Sequence, residues 1–300
     1  MESLRGKRLV IFGCGYVGTA VAREALAAGV HVEALTRNAE RAAALIKLGV
    51  GAVVADLATN SWHQRIAPAP EFVLDCVSSG GGGLDGYRRS YVGGVLSILD
   101  WARRGLLGTL VYTSSTSVYP QIGGALVDET ASTAETGGTG RVLLDAEALI
   151  QNAGAVCDRW FILRLAGIYG PGRHHLLDQI RDAAVEIQGG GGHRLNLAHR
   201  DDIAAAVIAV FASAKEVRNR IFNVSDDAPA TRAEVVQWLA AQVGRPAPRF
   251  TGGGASRGRG FPVLPDRLIS NHRLKTELAW QPKYPSFREG YREILGGEVS

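Results

Sequence analysis

Short apolar runs alternate along this chain with longer stretches whose apolar residues recur at helical spacing. That order predicts strands and helices in turn. Residues 9–12 read as a buried strand and 19–28 as the helix after it. The pattern returns as a strand at 30–35, a helix at 38–48 and strands at 52–55 and 72–77. A helix over 87–104 follows, with Tyr91, Val95, Ile98 and Ala102 on one face, and then a strand at 109–112. Runs of continuous rather than alternating apolar residues belong to sheets covered on both faces. An α/β fold with a doubly wound, right-handed parallel sheet is the economical topology for such repeating units. Helices are further expected at 140–152, 176–187 and 203–211.

The first strand gives way to its helix through Gly13-Cys14-Gly15-Tyr16-Val17-Gly18. In a G-x-G-x-x-G turn each glycine has a physical task. Gly13 permits the tight turn, Gly15 lets the backbone approach a pyrophosphate, and Gly18 lets the helix pack close to the strand. Free N–H groups and the helix dipole then favour the phosphates at the helix N-terminus. A dinucleotide site is therefore expected here, with Tyr16 and Val17 in its turn. The second strand ends in Thr36-Arg37, where a carboxylate would hold an adenosine ribose 2′-hydroxyl. Glu33 lies too early for that role. Thr36 leaves room for a 2′-phosphate and Arg37 offers a planar fork of donors, so NADP(H) is preferred and NAD(H) is the alternative. Asp56-Leu57 are expected beside the adenine. Val77-Ser78-Ser79 lead into Gly80 to Gly83, a flexible lip over the cofactor or slack in a loop. Ligands of doubly wound sheets bind at the strands' carboxyl ends. That places Thr113 to Tyr119, a row of hydroxyls, beside the nicotinamide.

These features, with Arg164, Ile168-Tyr169-Gly170-Pro171-Gly172, His199-Arg200-Asp201-Asp202-Ile203, Ile221 to Val224 and the tail 274–291, resemble the extended short-chain dehydrogenase/reductases. The group includes nucleotide-sugar epimerases and dehydratases. The resemblance implies a Rossmann-type dinucleotide-binding domain over residues 1–164 plus about 196–225. A smaller C-terminal substrate lobe would span about 165–195 plus 226–300, with Gly189 to Gly192 near the crossing. It also implies Ile168 at the cofactor, and a homodimer formed through the helices at 87–104 and 140–152.

Active members carry Tyr-x-x-x-Lys on the helix after the serine-rich strand. Four-residue spacing puts an ammonium beside a phenol and makes the phenol a usable acid or base. Here those positions hold Thr139 and Leu143, and Tyr91 stands where a helpful asparagine often sits. Only Ser115 survives. The pattern is that of an atypical extended member, and the usual mechanism does not transfer. For the missing proton transfer the candidates are Tyr119, His174 and His175. Each has a plain structural alternative: a packed aromatic for Tyr119, exposed histidines opening a helix for the pair. Tyr169 and Arg173 are expected at the substrate lip, and Arg257 and Arg259 in a basic loop that would grip an anion. His199 is expected to be a buried histidine bonding backbone, and Asp201-Asp202 to cap the helix at 203–211.

Composition narrows the classes. With 300 residues, 46% of them apolar, the chain can bury a large core. No apolar run is long enough to span a membrane. Three scattered cysteines suit a reducing cytoplasm and no metal-ligand spacing occurs. A balance of 33 basic to 29 acidic residues suits a small polar or anionic ligand, not nucleic acid. Two functions stay open: an NADP(H)-dependent oxidoreductase or epimerase/dehydratase-like enzyme, and a catalytically silent NADP(H)-binding sensor.

Overall fold

The computed structural model describes residues 4–252 and 265–297. The first half lays down β1 (Arg8–Phe12), α1 (Tyr16–Ala27), β2 (His31–Thr36), α2 (Ala39–Lys47), β3 (Gly51–Val54) and β4 (Phe72–Asp75). After α3 (Gly83–Arg88) and α4 (Gly94–Ala102) come β5 (Leu107–Ser115), β6 (Ala125–Val127), α5 (Gly138–Gln151) and β7 (Cys157–Leu165). The remainder is β8 (Gly167–Tyr169), α6 (His175–Arg181), β9 (Glu186–Ile187), β10 (Arg194–Leu195), β11 (Leu197–His199) and α7 (Arg200–Ala212). It ends with β12 (Arg220–Val224), β13 (Ala230–Thr231), α8 (Arg232–Gln242), β14 (Arg249–Phe250), β15 (Arg267–Ile269), α9 (His272–Leu278) and α10 (Phe287–Gly297).

Seven strands form one parallel sheet in the order β12-β7-β5-β4-β1-β2-β3. The order reverses between β1 and β4, so a crevice opens at their carboxyl ends. Successive strand side chains face opposite ways. Thus Leu9, Ile11 and Leu74 enter one core with α1 and α7, while Val10, Phe12 and Val73 enter the other with α4 and α5. Both faces being covered explains the unbroken apolar runs. A separate small core of Tyr169, Leu177, Ile180, Leu239, Phe287 and Tyr291 joins α6, α8 and α10.

Three expectations for the elements need correction. The helix expected at 87–104 begins at Gly83 and is broken by a π-turn, Arg89–Gly93, before α4. The glycine pair Gly93-Gly94 removes side chains where the helix meets Leu57; a Cβ on Gly94 would lie 3.1 Å from the Leu57 side chain. The helix expected at 176–187 stops at Arg181, because Ala183 turns to φ +55° and Glu186–Ile187 pairs with β14. Asp201 and Asp202 do not cap α7. His199 does, its Nδ1 accepting from Asp201 N at 3.3 Å, while the Asp202 carboxylate reaches away to Lys283 N and Tyr284 N at 2.7 and 3.1 Å. The expectation of a buried, backbone-bonding His199 agrees with this geometry.

Candidate functional site: a cleft at the carboxyl end of the sheet

The glycine turn is shaped by sterics before any ligand is considered. Gly13 sits at φ +80°, and a Cβ there would lie 2.6 Å from Val77 Cα. A Cβ on Gly18 would come within 2.9 Å of Cys76 Sγ and 3.2 Å of Ile11, so the helix can approach β1 only through a glycine. Gly15 has open space in front of it, its nearest neighbour being Gly13 O at 3.7 Å. That is the arrangement a pyrophosphate needs. The α1 N-terminus carries no side-chain cap hydrogen bond, so its first-turn N–H groups point outward.

In front of the turn lies a cavity of about 360 Å³. It gathers Gly13, Gly15, Tyr16, Thr36, Arg37, Asp56, Leu57, Val77 and Ser78 among the residues expected at the cofactor. Val17 and Gly18 are instead buried in α1 against the sheet, and Ser79 and Ile168 stand outside the cavity wall. Asn38, Arg41, Arg89 and Ser90 also line it. Arg41 lies in the first turn of α2, just after the Asn38 cap, which brings it to the cavity beside Arg37. Arg89 and Ser90 carry no sequence signal, since the π-turn sets their direction. Arg89 Nη2 donates to Asp56 Oδ2 at 2.6 Å, and that pairing holds the carboxyl below the usual carboxylate range despite its partial burial. Arg37 and Arg41 are exposed and have no ion-pair partner among the described residues; the Arg37 guanidinium rests against Gly80.

At the other end of the cleft β5 delivers the hydroxyl row. Ser115 is half-buried, and its Oγ accepts from Ser117 N at 3.1 Å, closing a single 3₁₀ turn. That bond occupies a lone pair and leaves the O–H able to donate elsewhere. Behind it runs a buried network that sequence spacing does not reveal. Glu147 on α5 takes Ser114 Oγ at 2.6 Å and both Arg164 Nε and Nη2, at 3.1 and 2.7 Å. Arg164 Nη1 donates to Tyr119 Oη at 2.9 Å, which donates to Asn223 Oδ1 at 2.8 Å. Burial opposes the charge on Arg164, but Glu147 and Tyr119 outweigh it and its pKa is raised.

Several expected site residues are therefore reassigned. Tyr119 is fully buried with its hydroxyl committed on both sides, and burial raises its pKa; it is a structural aromatic, not a group facing substrate. Leu143 packs beside it in a core with Val118, Val127 and Ile269, so the place of an ammonium has become a hydrophobic plug. Thr139 is half-buried in the first turn of α5. Tyr169 is no substrate lip: it is buried, stacked 5.1 Å from Tyr291, with its hydroxyl pressed on Gly290. Arg173 turns onto the Tyr16 ring at 5.7 Å, and Tyr16 Oη donates to Pro171 O at 3.0 Å. His174 Nδ1 lies 2.7 Å from Asp178 Oδ1 on its own helix, and His175 is exposed. Arg257 and Arg259 lie outside the described residues.

Arg267 has no counterpart in the sequence reading. It is 5% exposed, and its Nη2 donates to Thr116 O at 2.8 Å beside Ser115. Its Nη1 is buried without a hydrogen-bond partner, and among the described residues no carboxylate pairs with it. Burial pulls its pKa down to about 10. A buried cation without a compensating charge is costly. Among the described residues no cluster of metal-ligating side chains occurs, and no helix is long and apolar enough to cross a membrane.

Comparison with known proteins agrees with this geometry. Protein YeeZ of Escherichia coli K12 is 30% identical over 196 residues, which is 65% of this chain and 65% of YeeZ, so under two thirds of that relative is matched. The 2-alkyl-3-oxoalkanoate reductase of Stenotrophomonas maltophilia is 26% identical over 260 residues, 80% of this chain and 76% of the reductase. Among solved structures, MoeE5 in complex with UDP-glucuronic acid and NAD superposes with a TM-score of 0.81 at 21% identity, covering 97% of this chain and 99% of MoeE5. Residues 9–225 match the model of one family, and on that span the chain belongs to the NAD-dependent epimerase/dehydratase family.

Proposed function

We propose that this protein is an NADP(H)-dependent oxidoreductase that reduces a carbonyl group on a small, anionic substrate. The observation that carries the reading is the charge pattern along the cleft. At the ribose end Arg37 and Arg41 have no ion-pair partner among the described residues, and the one carboxylate among the described lining residues, Asp56, is already held by Arg89. Such a site suits a 2′-phosphate, and that carboxylate is engaged by Arg89 instead of standing open to a bare 2′-hydroxyl. At the far end Arg267, buried, bonded to Thr116 O through Nη2 and with Nη1 lacking a hydrogen-bond partner among the described residues, supports an anionic group on the substrate near Ser115. When bound, the dinucleotide supplies or accepts hydride. Ser115 donates its O–H to the reacting oxygen, and the Glu147–Arg164 pair holds the strand end that carries it. The similarity to a reductase of 3-oxoalkanoates favours a ketone or keto-acid class of substrate, whereas MoeE5 favours a sugar nucleotide.

The test is deuteride transfer from labelled NADPH into a panel of keto acids, ketones and nucleotide sugars. Transfer to an anionic carbonyl compound, reduced about 10²-fold by Ser115→Ala, is the expected result. One observation favours a second reading, a silent cofactor sensor: Leu143 is built into the core where the catalytic ammonium would stand. Tight NADPH binding with no transfer to any compound would select it.

A further inference from the structure

The π-turn places two phenols where α5 has lost one. Tyr87 and Tyr91 lie with ring centroids 4.5 Å apart and planes tilted by 42°, one on α3 and one inside the π-turn. Both pack on the cluster that contains Leu143, and Tyr91, like Val77, also packs against the core on the α4 and α5 side of the sheet. Tyr91 thus bridges the end of β4, which lines the cofactor cavity, and the face of α5 that carries Thr139 and Leu143. Tyr91 is half-buried, and its hydroxyl is in hydrogen-bonding contact with Tyr87 and with the Ser79 backbone; Tyr87 is half-buried beside it. Single π-turns inside α-helices are costly and concentrate at functional sites. Here the extra residue has a visible effect. Arg89 and Ser90 are turned to the adenosine cavity, while Tyr91 is turned toward α5.

We infer that Tyr91 is the proton donor of the reduction, and that Tyr87 connects it to solvent. The inference rests on the reductase reading above. As the substrate carbonyl carbon accepts hydride from the reduced nicotinamide, the carbonyl π pair moves onto oxygen. That oxygen takes the Tyr91 Oη proton. The O–H bond of Tyr91 breaks, a new O–H bond forms on the product alcohol, and the Tyr91 phenolate is refilled by the Tyr87 proton. Tyr87 in turn takes a proton from water. Ser115 contributes a second hydrogen bond to the same oxygen. Burial raises the Tyr91 pKa, and the neighbouring Tyr87 and Asp75 add to the effect. The phenol is therefore protonated across the neutral range, and proton donation from it leans on hydrogen bonds that stabilise the phenolate as it forms.

The test compares wild type, Tyr91→Phe and Tyr87→Phe in NADPH-dependent reduction, with NADPH affinity and melting temperature measured alongside. Tyr91→Phe is expected to lower kcat by about 10²–10³-fold, the range typical of a lost general acid, with NADPH affinity within threefold. Tyr87→Phe is expected to lower kcat by about tenfold and to change the solvent deuterium isotope effect. A wild type that reduces substrate while Tyr91→Phe stays within twofold of its kcat overturns the phenol assignment alone. A wild type that reduces nothing in the panel removes the reductase reading, and the assignment with it.

Discussion

At the end of the cleft beside the glycine turn the side chains that line the cavity, Arg37 and Arg41, are exposed and have no ion-pair partner among the described residues. At the hydroxyl end the deciding groups are buried and already committed to one another, in the chain Ser114–Glu147–Arg164–Tyr119–Asn223. The first end changes when the ligand changes. The second forms as the protein folds and must be complete in the native state, because its charges have left water and are compensated only by one another. Substitutions at the two ends should therefore fail differently, one in binding and the other in stability.

The largest expected effect breaks the buried end. Arg164→Met leaves the Glu147 carboxylate unpaired in the core and should cost about 3–5 kcal/mol of stability by denaturant unfolding. Adding Glu147→Leu should restore part of that loss. If Arg164→Met unfolds at the wild-type midpoint, the network is not the support described. Next comes the open end. Arg37→Ala with Arg41→Ala should weaken NADPH binding about 10–100-fold in calorimetry, as hydrogen bonds to a charged group are lost. NADH binding and the melting temperature should stay near wild type, and equal losses for both dinucleotides would refute the 2′-phosphate account.

Asp75 links the two ends and gives a pH signature. It lies fully buried at the end of β4, facing Tyr112, Tyr91 and Cys76, with Oδ1 accepting from Val77 N at 3.3 Å and Oδ2 unpartnered. Burial raises its pKa from 3.8 to about 7. Between those values the unfolded chain loses the proton and the native state keeps it, so this group lowers stability as pH rises from 4 to 7. Asp75→Asn should remove that decline, making the variant relatively more stable at pH 8 than at pH 4, by roughly 2–4 kcal/mol. A variant-to-wild-type difference that does not change with pH would show that the carboxyl is ionised in the native state. The smallest effect is expected from Tyr119→Phe. Stability should fall by about 1–2 kcal/mol, since Arg164 and Asn223 each lose a partner, while kcat changes less than threefold. A large loss of kcat at unchanged stability would return Tyr119 to the chemistry.

How much of this was legible depends on how local each cause is. The glycine turn, the strand order implied by alternating units, and Arg37 at the end of β2 all follow from neighbours a few residues apart. So does Arg41, in the first turn of α2. Tyr119 looked like a candidate because it follows the hydroxyl row, but its partners Arg164 and Asn223 are 45 and 104 residues away. Tyr169 looked like a lip because it opens a Gly-Pro-Gly loop, yet α10, more than a hundred residues later, covers it. The helix at 176–187 was cut short by pairing of Glu186–Ile187 with β14, a tertiary override of local periodicity.

The amino-acid sequence by itself determined the doubly wound sheet, the dinucleotide cradle and the loss of the tyrosine–lysine pair, because periodicity, glycine geometry and residue identity are written in adjacent positions. Only the tertiary structure decided which charges are paired and which phenols are buried. Those outcomes depend on burial and on partners brought together across the sheet. A π-turn rotates Tyr91 toward α5, and a strand from the far end of the chain sets an uncompensated Arg267 behind Ser115.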